Sequence, residues 1–168
     1  MPPIPAWALT ITYWLHMLAV VAWIGSLAAI NILILPASHR TLNLTEQMSL
    51  ISAIQKRLEP IAWFSIVLLL FTGLIQMSTN EHYDGFLNIS TQWSLAILAK
   101  HILGALMIIV SAIQTWEVFP AIQRILLKKE NADEVELAKL QKRELNLLRT
   151  NLILSVIVLG ATAIARVS

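Results

Sequence analysis

The chain has 168 residues, 57% of them hydrophobic and 13% charged, with a mean hydropathy of +0.71. A soluble domain carries about 25% charged residues, so this chain lacks the polar surface of a water-facing particle and reads as an integral membrane protein, one domain by its length. It has no cysteine, which excludes disulfides, iron–sulfur clusters, covalently attached haem and thiolate zinc sites; its net charge of +2 gives no footing for nucleic acid.

The first apolar block, residues 6–35, holds no charge, and His16 and Asn31 are its strongest polar members. It exceeds the core of a signal peptide, about 7–15 residues, and no Lys or Arg precedes it, so it reads as an uncleaved span. A helix from Thr45 to Leu58 is expected to lead into a second span, 61–79, behind Pro60. The third span, 93–119, is interrupted by Lys100 and His101 and expected to close at Pro120. Asn131 followed by Glu134 resembles a capping box, so the fourth helix is expected to start well before its span, 145–165, and run into it unbroken. The fold class is an all-α four-transmembrane-helix bundle.

The cations are distributed unevenly among the connections. Arg40, Lys56 and Arg57 belong to the first, and Arg124, Lys128, Lys129, Lys139, Lys142, Arg143 and Arg149 to the third or the helix after it. The second connection, residues 78–92, has neither Lys nor Arg. The positive-inside rule then predicts both termini and the second connection outside, with helical extensions in the cytoplasm, as in a bacterial inner membrane.

Ionisable groups inside a membrane are costly and point to function. His16 follows Trp7 by nine residues and His101 follows Trp93 by eight, on helices that both enter from outside. At about 1.5 Å per residue both imidazoles lie roughly 12–14 Å below these interfacial anchors. Ala19, Val20, Trp23 and Leu27 share the face of His16, and Gly104, Ala105, Ile108 and Ala112 that of His101. Two imidazoles at one depth beside small residues suit the axial ligation of a b-type haem, with electron transfer as the role and Lys100 on a propionate. Copper is the alternative cargo, with the same two histidines as ligands and His82 as a point of access. A third reading makes the histidines structural, each satisfied by a carbonyl or hydroxyl of a neighbouring helix. Met17, Met77 and Met107 form no spaced cluster for a thioether path. Beyond lipid, partners compatible with this reading are membrane redox subunits or a quinone.

Several short stretches resemble the CopD-like membrane family. They are Leu15-His16 followed by Trp23-Ile24-Gly25 and Leu35-Pro36, Lys56-Arg57-Leu58, Thr72-Gly73-Leu74, Ala99-Lys100-His101-Ile102-Leu103 and Arg149-Thr150-Asn151-Leu152. The resemblance implies a four-helix membrane bundle associated with copper resistance or uptake. The HemJ-type protoporphyrinogen oxidases look like more distant relatives, and that likeness implies b-type haem and a role for His16. Their aromatic-Leu-Pro-Arg stretch has no counterpart here, where the chain reads Leu27-Ala28-Ala29-Ile30-Asn31.

Overall fold

A computed structural model describes residues 4–81, 83, 85, 89–127 and 134–167, and among these all regular structure is helical. Four rods are long and apolar enough to cross a membrane: Ala6–Thr41, Leu44–Ser78, Gln92–Leu127 and Val135–Val167. The first consists of α1 (Ala6–Ala28), a π-helical segment (Ala29–Ile34) and α2 (Leu35–Thr41). The second is α3 (Leu44–Ser78). The third joins α4 (Gln92–Ile113), a second π segment (Gln114–Val118) and α5 (Phe119–Leu127), and the fourth is α6 (Glu134–Val167).

Local chemistry sets where the middle rods begin. Asn43 Oδ1 accepts from the Glu46 amide at 2.9 Å while Glu46 Oε2 accepts from the Asn43 amide at 3.1 Å, a reciprocal cap that starts α3. Thr91 and Ser94 form the same box at the start of α4. The helix expected from Thr45 is therefore present, and it runs through Pro60 without a break. The fourth helix likewise runs unbroken into its span. Its expected Asn131 cap lies outside the described residues, as do His82, Lys128 and Lys129.

The end expected at Pro120 is absent. The third rod continues past it, and the first rod likewise continues past Pro36. Proline lacks an N–H and its ring crowds the carbonyl four residues back. Those carbonyls belong to Ile32 and Trp116, and each lies within a π segment that ends two residues before the proline. The wider π turn takes up the crowding, so each helix passes its proline instead of terminating.

The rods pack as two antiparallel pairs, α1 on α3 and α4 on α6, which meet where α1 touches α6 and α3 touches α5. Trp23, Leu27, Ile30, Ile66, Met107 and Leu148 form the central core. A second cluster, Met48, Val118, Ile122, Ile125 and Leu137, closes the end carrying the helical extensions. Large apolar side chains such as Phe64, Phe71 and Ile153 face outward, an arrangement suited to lipid as the solvent.

Candidate functional site

The two halves of the bundle hold different polar groups. In the half nearer the N-terminus, His16 of α1 is positioned by α3. Thr72 donates its hydroxyl to the Leu68 carbonyl at 2.6 Å, so the Thr72 oxygen accepts from His16 Nδ1–H, 2.7 Å away. The proton is thereby held on Nδ1, and the lone pair is on Nε2, the nitrogen with which an imidazole binds a metal ion. The ring lies against Gly73, where a Cβ would stand 3.6 Å from Cε1, an ordinary contact distance. The bond to Thr72, more than the missing Cβ, fixes the ring.

Lys100 of α4 lies within electrostatic reach of His16. It was expected to meet an anionic group, and among the described residues no carboxylate forms a salt bridge with it. Asp84, in the connection that precedes α4, lies outside the described residues. His101 is tied to its own helix, its Nδ1–H donating to the Ile97 carbonyl at 2.7 Å.

The structure does not bring His16 and His101 together as a ligand pair. Matched depth fixes the height of two side chains but not their direction around the helix axes. His16 is committed to the α1–α3 contact, and α4, which carries His101, packs chiefly on α6. A bis-imidazole haem needs both rings opposed across one iron, and the structure gives no support for that pairing. Among the described residues, no group of three or more His, Asp or Glu side chains could hold a metal ion. Met17 is exposed while Met107 is buried in the core.

The other half carries a polar ladder. Gln141 donates to Gln47 Oε1 at 2.9 Å, and Gln123 donates to Ser52 Oγ. Glu144 of α6 is wholly buried, and its Oε1 accepts from Gln55 of α3 and from Gln114 at 2.6 Å. Asn31 donates to the Leu27 and Leu148 carbonyls, and Asn151 donates to Ser111 Oγ at 2.9 Å. Each bond ties one rod to another or secures the π segments that flank this level. Beside it, Trp63 and Trp116 stack with ring centroids 5.3 Å apart.

Asn31 stands out in the sequence as a polar member of an apolar span, whereas Glu144 and Gln55 were not singled out. A signal for Glu144 was present. Leu137, Leu140, Glu144, Leu148, Asn151 and Ser155 recur at helical spacing, which puts the carboxyl on the inward stripe.

A family model described as CopD, Copper resistance protein D, matches residues 52–165. The match covers most of α3, all of α4 and α5 and nearly all of α6, so Lys100, His101 and Glu144 fall inside it and His16 outside. No curated protein and no solved structure matches the chain.

Proposed function

The chain belongs to the CopD family of membrane proteins, and from that membership we propose that it handles copper within the membrane, with His16 as the copper-binding side chain. The observation that carries the residue assignment is the His16–Thr72 bond. It orients an imidazole inside a membrane bundle and leaves Nε2 as the nitrogen able to take a metal ion. In a chain without cysteine, imidazole nitrogen and thioether sulfur are the soft or borderline donors that suit copper. His101 is a second imidazole donor on α4, met at another point along the path of the ion.

The Lys100 ammonium bears on the kind of site this is. A positive charge near His16 opposes a bound copper ion, so the site passes the ion on instead of storing it. Copper is cargo in this reading. The cation asymmetry of the connections supports an orientation with the Lys-rich helical extensions in the cytoplasm and His16 in the outer half of the bilayer.

The test is copper tolerance in cells producing the wild-type chain, His16→Ala, or neither. Wild type should change the copper concentration that halves growth, and His16→Ala should lose most of that change at equal membrane abundance. Equal effects of the two chains would remove His16 from the path. No effect of wild type would remove copper.

A further inference from the structure

A cavity of about 80 Å³ lies in the half of the bundle away from His16, with Gln55, Ser111, Gln114 and Asn151 on its wall and partly exposed Glu59 beside them. A water needs roughly 10–15 Å³ by the same kind of measure and two or more polar partners, so this space has room for several waters beside its polar wall. Gln55 and Gln114, which line it, are the two side chains that donate to Glu144.

Both of those donors go to Oε1 of Glu144. Its Oε2 is buried without a partner, as are Oδ1 of Asn31 and Oδ1 of Asn151. Buried acceptors are nearly always met by a donor, and these three, two on α6 and one on the first rod, leave donors to be supplied by water or a proton. No charged side chain is among the hydrogen-bond partners of Glu144. On α3 the nearest titratable wall group is Glu59; on the second π segment Glu117 is bonded to Arg143 at 2.7 Å; the first rod contributes uncharged Asn31. As a strut between helices, a glutamine would serve equally well. A carboxyl adds the ability to take up and release a proton.

We propose that Glu144 is a proton-exchange site served by this cavity. Oε2 forms an O–H bond with a proton delivered by hydrated acid in the cavity, and breaks it by returning the proton to water. The donors from Gln55 and Gln114 hold Oε1 still while Oε2 changes state. The site does not rest on the copper reading, because the only ligand is the proton.

The test uses the full chain purified in detergent and infrared difference spectra between acid and alkaline buffers. A carboxylic C=O band should disappear as pH rises, shift down promptly in D2O, and be missing in Glu144→Gln. Titrating bands identical in wild type and Glu144→Gln, or a Glu144-dependent band unshifted after hours in D2O, would overturn the assignment. Should Glu144→Gln fail to fold, the wild-type chain decides through modification by a hydrophobic carbodiimide, which attacks protonated carboxyls. An adduct at Glu144 that forms faster in acid supports the site, and adducts confined to other carboxyls overturn it.

Discussion

His16 donates its Nδ1–H to the Thr72 hydroxyl at 2.7 Å, joining two helices across 56 residues of chain. The bond fixes both the tautomer and the direction of the ring. Thr72→Val removes the acceptor and leaves a buried donor unmet, which costs about 1–3 kcal/mol in water-soluble proteins and about 0.6 kcal/mol on average for helix–helix bonds in membranes. We expect a loss near 1 kcal/mol, read as a fall of roughly 2–4 °C in the melting temperature of the detergent-purified chain. Thr72→Ser keeps the hydroxyl and should restore most of it.

Leu148 is 1% exposed and packs in the central core with Trp23, Leu27 and Met107. Leu148→Ala leaves a cavity and should cost about 2–3 kcal/mol, the lower part of the range for such truncations, because lipid tails reduce the transfer contribution. Thermal unfolding in one detergent, compared with Ile153→Ala on the outward face, checks this. The Ile153 change should fall within about 0.5 kcal/mol of wild type.

The orientation is tested by single cysteines in a chain that has none of its own. Glu81 and Ala138 are both exposed, at opposite ends of the bundle. In intact cells an impermeant thiol reagent should label Glu81→Cys and spare Ala138→Cys until the membrane is opened. The reverse pattern would place the Lys-rich end outside.

Lys100 provides a fourth test. At an effective dielectric constant near 20, two unit charges about 10 Å apart repel by roughly 1.7 kcal/mol. Lys100→Met should therefore tighten copper binding at His16 by roughly tenfold or more and slow copper release, measured by competition with a chelator of known affinity. Unchanged binding would mean that the ammonium does not act on the bound ion.

The sequence carried the fold because hydropathy and cation placement act over whole helices. The four rods, the Thr45–Leu58 extension and the early start of α6 were all legible from such patterns. The end expected at Pro120 is missing because a π turn relieves a clash that local rules treat as a stop. Helical rise speaks only to the height of His16 and His101 along their helices, and their azimuth depends on which helices touch. That α1 packs on α3 and α4 on α6 is a property of the assembled bundle. Glu144 was legible only as an acid on an inward stripe, and what marks it out, two amide donors on one oxygen and none on the other, appears with the packing.

The most direct measurement is Cu(I) titration of the purified chain under anaerobic conditions against a competing chelator, with X-ray absorption on the bound metal. The wild-type chain should take copper from the chelator and show nitrogen in the copper coordination sphere, and His16→Ala should weaken binding at least tenfold. A chain that fails to compete for Cu(I), or whose affinity is unchanged in His16→Ala, would contradict copper handling through His16.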